Sequence, residues 1–176
     1  KVKYRRSKLG ILWSVLNPLM MMCVLTLVFS HIFRSNIDNY AVYILSGQLM
    51  FNYFTESTTA AMASVIGYAP LIKKVYVPKY IFPLEKSCFS FVNMLFSMVA
   101  LVVVMFFTGA PFYGTFVFAI YPMITLFFFS LGVGLFLASS AIFFRDIMHL
   151  WTVFTTALMY ASAIIYPVSM LEGSIM

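Results

Sequence analysis

The sequence predicts an all-α membrane protein, a polytopic bundle of helices that cross the bilayer. Hydrophobic residues make up 63% of its 176 residues and charged residues only 9%, whereas soluble domains average about 45–50% and 25%. The mean hydropathy is +1.00. Such a chain lacks the polar surface that a water-facing domain requires, and at about 20 apolar residues per span it has room for some five crossings.

Five apolar segments are predicted to be these spans: 9–33, 41–67, 87–108, 115–144 and 147–166. Arg34 ends the first, and the sequence GAPFYG between the third and fourth indicates a tight turn. The fourth segment is long enough to be tilted or kinked near Pro122. Arg145 and Asp146 end it, and Pro167 ends the fifth.

The connection 68–86 differs in composition from the other polar segments. Its sequence, YAPLIKKVYVPKYIFPLEK, contains four lysines and three prolines. Proline removes a backbone donor and disfavours helical backbone in the residue before it. We therefore expect short broken helices in this segment rather than one continuous helix.

The positions of the basic residues predict the orientation, because Lys and Arg in short loops stay on the cytoplasmic side. With the N-terminus inside, the outer side carries only Arg34. The inner side carries Lys1, Lys3, Arg5, Arg6, Lys8, Lys73, Lys74, Lys79, Lys86 and Arg145. The positive charge is thus clustered by loop, so the net charge of +6 indicates topology and not a nucleic-acid partner. Five spans leave the visible C-terminus outside, and we expect a longer protein with a sixth span.

Small residues within the spans predict close helix packing. They recur at spacing four in two stripes, Ser130, Gly134, Ala138 and Thr59, Ala63, Gly67. Glu56 is the one acid within a predicted span, where a charged carboxylate costs about 2.5–3.5 kcal/mol. Gating or lining a wet cavity is one interpretation of Glu56, and a protonated or hydrogen-bonded structural role is the other.

No catalytic or metal site is predicted. The chain has no GxxxxGK[ST] loop, so it is not expected to bind and hydrolyse a nucleotide by itself. His31 and His149 fall at opposite faces of the membrane, and the acids are scattered over three depths. Cys23 and Cys88 each stand alone in apolar surroundings and are expected to be buried thiols.

Three parts of the sequence carry a family resemblance. They are YRRSKLGILWSVLNPLMMM at 4–22, LIKKVYVPKYIFPL at 71–84, and FFRDIMHLW at 143–151 followed by IIYPVSML at 164–171. In this order, and on these sides of the membrane, they resemble the membrane subunit of type-2 ATP-binding-cassette exporters. They look most like the branch that exports polysaccharides such as O-antigen, teichoic acid and rhamnose-rich wall polymers.

The resemblance implies a multi-pass permease of the cell membrane that acts as a homodimer. Two separate ATPase subunits would bind its cytoplasmic face, and ATP and Mg would be held by those subunits, with no cofactor in this chain. A lipid-linked glycan would pass outward between the two copies. Residues 1–8 would then be the end of a cytoplasmic interface segment.

The connection 68–86 has the features of a docking surface for such a partner, because aromatic and cationic side chains alternate on a proline-stiffened backbone. The candidate coupling residues are Lys73, Lys74, Tyr76, Pro78, Lys79 and Tyr80, with Arg145 and Asp146 at the other cytoplasmic turn. The alternative is a solvated loop held by lipid head groups.

A glycan conduit needs surfaces along which sugars slide, and aromatic faces provide them. The resemblance implies that the first and fifth spans line the channel. The candidates for the substrate path are therefore Trp13, Asn17, Trp151, Phe154 and Tyr160. The alternative is that Trp and Tyr near helix ends anchor the helices at the membrane interface.

Other functions are compatible with parts of this sequence pattern. A type-2 exporter of a drug, an antibiotic or a lipid would share the fold and the coupling segment. A membrane assembly subunit without transport explains the spans, but not the docking features of 68–86. An ion channel is disfavoured because no acid ring or carbonyl filter is evident.

Overall fold

The computed structural model describes residues 13, 16–17, 19–21, 23–24, 40–72, 74, 76–109, 118–162 and 164. Its helices are α1 (Tyr40–Gly67), α2 (Ala69–Ile72), α3 (Ile81–Thr108), α4 (Ile120–Phe143) and α5 (Ile147–Ala161). The described residues between 13 and 24 are also helical, and no strand occurs in the described part of the chain. The all-α prediction is confirmed for these residues.

Two of the described helices are long and apolar enough to cross a membrane. They are α3 over Ile81–Phe107 and α4 over Ile120–Phe143. The 24 residues of α4 rise by about 36 Å, which exceeds the roughly 30 Å of a bilayer hydrocarbon core. Helix α1 has 28 residues but interleaves polar side chains such as Gln48 and Glu56, and α5 is a shorter apolar helix.

Two prolines lie in the first turns of long helices. Pro83 is the third residue of α3 and Pro122 is the third residue of α4. The first amides of a helix have no intrahelical acceptor, so proline in the first turn removes no helical hydrogen bond. Of the two possibilities for the fourth span, tilted or kinked, a kink at Pro122 is not found, because α4 begins at Ile120 and Pro122 belongs to its start.

The helix ends follow local sequence signals in part. Gly109 comes directly after α3 with φ of 66°, the left-handed conformation that glycine adopts most readily. Arg145 and Asp146 form the turn between α4 and α5, as predicted. Helix α5 ends at Ala161, before the predicted limit of 166, and Pro167 lies outside the described residues.

The chain divides into two compact units. The first unit comprises 1–49, 93–112 and 160–176, and the second comprises 50–92 and 113–159. The core of the first unit joins α1 to α3 through side chains that are all buried: Leu45, Leu49, Leu101, Val104 and Met105. Leu19 and Val42 pack against this cluster.

The core of the second unit joins α1, α4 and α5. Met62 of α1 is buried against Leu137 and Ala141 of α4, and α5 contributes Ile147, Met148 and Trp151 at the edge. The helices approach closely at Gly134, where an added Cβ would lie 2.9 Å from Cβ of Ala61. Small residues permit such an approach between membrane helices, whose backbones then pack closely.

One of the two small-residue stripes packs as predicted and the other does not. Ser130, Gly134 and Ala138 are all buried. Thr59 and Gly67 are exposed, and a Cβ on Gly67 would meet nothing within 4 Å. The buried stripe of α1 contains Thr58, Ala61, Met62 and Val65. Adjacent helix positions differ by about 100°, so a stripe shifted by one residue points in a different direction. The stripe of α1 that is buried includes Met62 and Val65, and it therefore carries more apolar surface than the predicted stripe.

The contact at Gly134 yields a matched pair of substitutions on one helix. Gly134→Ala should destabilise the protein by about 1–3 kcal/mol, because the methyl group would force α4 away from Ala61. Gly132→Ala should stabilise it by about 0.5–1 kcal/mol, because Gly132 lies in a helix with open space around it. Thermal unfolding of both variants in detergent checks this. Equal effects of the two substitutions would show that the close approach does not hold α4 against α1.

Candidate functional site

The segment that joins α1 to α3 begins with a folded turn. The amide of Tyr68 donates to the carbonyl of Ser64 at 2.9 Å, and the carbonyl of Tyr68 accepts the amides of Leu71 and Ile72, each at 3.0 Å. Helix α2 follows directly, and a turn at Lys74 precedes backbone without regular secondary structure at 76–78. The described part of the segment is thus one short helix followed by irregular backbone, and the prolines predict such a break in the helix.

The predicted coupling residues of this segment project outward wherever the structure describes them. The side chain of Tyr76 is fully exposed and that of Tyr80 is 61% exposed. Lys74, Pro78 and Lys79 are exposed as well, and Lys73 lies outside the described residues. Exposed tyrosines beside lysines are typical of a surface that a partner covers, because aromatic anchors carry much of the binding energy at interfaces.

The base of the segment is held by three side chains. The Lys86 Nζ donates to the Tyr68 hydroxyl at 3.2 Å and lies 5.3 Å from the centroid of the same ring. The Tyr68 ring stacks on Phe82 with centroids 4.9 Å apart and an angle of 24° between the planes. Lys86 also pairs with its neighbour Glu85 at 3.1 Å. From the sequence, Lys86 is counted only among the basic residues of the inner side, and no role is predicted for Tyr68.

The second predicted coupling position is the turn between α4 and α5. Arg145 and Asp146 are both exposed. The carbonyl of Asp146 accepts the amides of His149 and Leu150 at 3.0 and 3.1 Å, so this residue opens the first turn of α5. A carboxylate at that position interacts favourably with the positive end of the helix dipole.

Trp151 lies in the helix packing of the second unit. Its indole Nε1 donates to the Thr58 Oγ1 at 3.1 Å, and the Thr58 hydroxyl donates onward to the Phe54 carbonyl at 2.8 Å. The indole ring meets Phe54 edge-on at 5.9 Å and stacks on Phe154 at 5.3 Å. The partner hydroxyl lies 93 residues away in the sequence, and no local signal could have identified it.

The other path candidates are exposed. Phe154 stacks on Trp151 from the outside and is half exposed. Trp13, Asn17 and Tyr160 present their side chains outward in the first unit, whereas Trp151 and Phe154 belong to the second. The candidates therefore form two groups, one in each unit, and Trp151 is packed and hydrogen-bonded within the second.

Glu56 and the two cysteines differ in their burial. Glu56 is partly buried on α1. The expectation of two buried thiols is wrong, because Cys23 and Cys88 are both exposed on their helices and both are free. A small apolar thiol is as compatible with the outer face of a membrane helix as with its packed face, so apolar neighbours in the sequence do not indicate burial.

The hydrogen bond from Trp151 to Thr58 should stabilise the second unit measurably. Trp151→Phe and Thr58→Val should each lower the free energy of unfolding, and the double variant should lose about 1 kcal/mol less than the sum, because both single changes remove the same bond. Thr156→Val is the matched control, since that hydroxyl bonds only within its own helix, to the Thr152 carbonyl at 2.8 Å. Thermal unfolding of the original protein, the two single variants and the double variant measures the coupling between Trp151 and Thr58. Strictly additive effects of the two substitutions would contradict it.

Comparison of the sequence with known proteins assigns the chain to a family. The family model described as "ABC-2 type transporter" matches residues 1–176. Two proteins of Klebsiella pneumoniae, each named O-antigen export system permease protein RfbA, are similar to this chain. One is 30% identical over 173 residues and the other 26% over 176, and each match covers 97% of this chain and 66% of the relative.

A third relative, the O-antigen export system permease protein RfbA of Myxococcus xanthus, is 29% identical over 173 residues. That match covers 98% of this chain and 66% of the relative, so the chain spans about two thirds of the length of all three relatives. The resemblance inferred from the three sequence strings is confirmed. The chain is a membrane protein that belongs to the ABC-2 type transporter family.

Proposed function

We propose that this chain is the permease subunit of an ATP-driven exporter that moves a lipid-linked polysaccharide across the cytoplasmic membrane. The polymer would be of the O-antigen, teichoic acid or wall glycan type. The observation that carries the proposal is the set of relatives named O-antigen export permeases, which match 97–98% of this chain. Export of a drug, antibiotic or lipid is the second candidate, because the family match applies to it equally.

The proposed partners follow from what the chain lacks and what it displays. No nucleotide-binding loop occurs in the sequence, so ATP and Mg would be bound by a separate cytoplasmic ATPase subunit. The exposed Tyr76 and Tyr80 offer that subunit two aromatic anchors. A second copy of this chain would complete the path for the polymer.

The proposed mechanism requires a stiff connection between residues 68–86, called the docking segment below, and the membrane helices. The segment is tied to α1 through the backbone bonds of Tyr68 and to α3 through the stack of Tyr68 on Phe82. Helix α3 then continues without interruption from Ile81 to Thr108. A displacement of the docked segment would therefore reach the end of α1 and the start of α3.

The substrate path is proposed from the exposed aromatic residues. Trp13, Phe154 and Tyr160 present ring faces on which sugars can stack, and Asn17 adds hydrogen-bonding capacity. Trp151 contributes by holding the Phe154 ring from behind, while its indole donor is engaged with Thr58.

We further propose five crossings with the N-terminus in the cytoplasm, supported by the ten-to-one distribution of basic residues. Single cysteines at positions 79 and 36, in a protein without Cys23 and Cys88, test this orientation. An impermeant thiol reagent added to whole cells should label position 36 and spare position 79, because 68–86 would lie inside. The opposite pattern would invert the topology and the direction of transport.

The docking segment is tested by removing its aromatic anchors. The double variant Tyr76→Ala, Tyr80→Ala should insert and accumulate normally, because neither side chain packs in a helix core, and it should retain less ATPase on purification and export less polymer in cells. Tyr121→Ala is the matched control, since it removes an exposed tyrosine from the start of α4. Normal ATPase retention and normal polymer export in the double variant would exclude the segment from coupling.

A further inference from the structure

The contacts of Tyr68 and Lys86 tie together the two ends of the docking segment. Tyr68 lies directly after α1, and Lys86 lies in the second turn of α3, 18 positions later. The exposed Tyr76 and Tyr80 both fall between them. The contact therefore closes a loop that carries two of the exposed side chains proposed to meet the partner.

Three interactions converge on the Tyr68 side chain. Its hydroxyl accepts from the Lys86 ammonium at 3.2 Å, its ring centroid lies 5.3 Å from the same Nζ, and its ring stacks on Phe82, which is only 8% exposed. A hydrogen bond to a charged donor, a cation–π contact and an aromatic stack each favour one geometry. Together they restrict the position of Tyr68 against the start of α3.

Tyr68 also fixes the backbone of the segment. Its carbonyl accepts the amides of Leu71 and Ile72, so the direction of α2 depends on where Tyr68 is held. The side-chain contacts to α3 and the backbone bonds to α2 act on the same residue. Movement of Tyr68 away from Lys86 would thus displace α2, the first part of the docking segment.

We propose that Tyr68 and Lys86 form a clasp that positions the docking segment, so that motion of a bound partner reaches α1 and α3 together. Both are positioning residues in the proposed coupling, and the inference rests on that proposed function. The ion pair of Lys86 with Glu85 does not carry this role. These two side chains are adjacent and 30% and 52% exposed, and pairs of that kind contribute little.

The first test measures the clasp without any transport assay. Tyr68→Phe removes the hydroxyl and keeps the stacked ring, and Lys86→Met removes the charge and keeps the length of the side chain. In the full chain purified in detergent, trypsin should cleave after Lys74 and Lys79 about threefold to tenfold faster in both variants than in the original protein. Lys86→Arg should cleave at nearly the original rate, and so should Glu85→Gln, which removes only the neighbouring pair.

The second test measures positioning in the complex with the ATPase. Export of polymer per ATP hydrolysed, at equal amounts of assembled complex, should fall in Tyr68→Phe and Lys86→Met and be restored by Lys86→Arg. A merely structural role would change the amount of complex and leave this ratio unchanged.

The outcomes separate the clasp from the proposed function. Unchanged cleavage in both clasp variants would overturn the clasp whatever transport does, as would an equal effect of Glu85→Gln. Faster cleavage with an unchanged export ratio, while the Tyr76 and Tyr80 variant loses export, would overturn its positioning role. Failure of the proposed function would instead appear in the Tyr76 and Tyr80 variant, with the cleavage pattern of the clasp unaffected.

Discussion

The close approach of α4 to α1 at Gly134 and Ala61 is the contact on which the second unit depends. Lipid removes most of the hydrophobic drive between membrane helices, so association depends on backbones that can come near each other. At Gly134 the two helices are close enough that one methyl group would lie 2.9 Å from Ala61 Cβ. Met62 can then pack on Leu137 and Ala141. Helix α5 follows after a short turn, which brings the Trp151 indole within hydrogen-bonding distance of Thr58.

The same helix α1 carries the packed stripe and, directly after its end, the residue that begins the docking segment. Thr58 and Ala61 face α5 and α4, and Tyr68 turns back to contact Phe82 and Lys86 of α3. A partner that moved the docking segment would therefore act on α1, which is packed against α4 and α5 in the second unit. Rigid packing transmits such displacement, because close-packed interiors have little free volume in which to absorb it.

Sequence reasoning predicted the helical class, the turn at Arg145 and Asp146, the broken segment after α1 and the family, because each depends on composition or on neighbouring residues. It failed where three-dimensional context decides. Spacing of four is shared by adjacent stripes, so it could not distinguish Thr59 from Thr58 as the packed position. Pro122 marks a helix start rather than a kink, a distinction that requires the helix boundary. The partners Trp151 with Thr58 and Tyr68 with Lys86 join residues distant in sequence, where no local pattern indicates a contact.

Transport in a reconstituted system tests whether this permease and its ATPase export the polymer. The full-length protein and its co-purified ATPase would be reconstituted into vesicles with the lipid-linked polysaccharide, with the ATPase facing outward, and the polymer inside the vesicles would be measured as the fraction protected from an added glycosidase. If this chain is the permease of an ATP-driven exporter, the protected fraction should rise only when ATP, Mg and the ATPase subunit are all present. Steady ATP hydrolysis with no protected polymer, or equal protection without ATP, would contradict it.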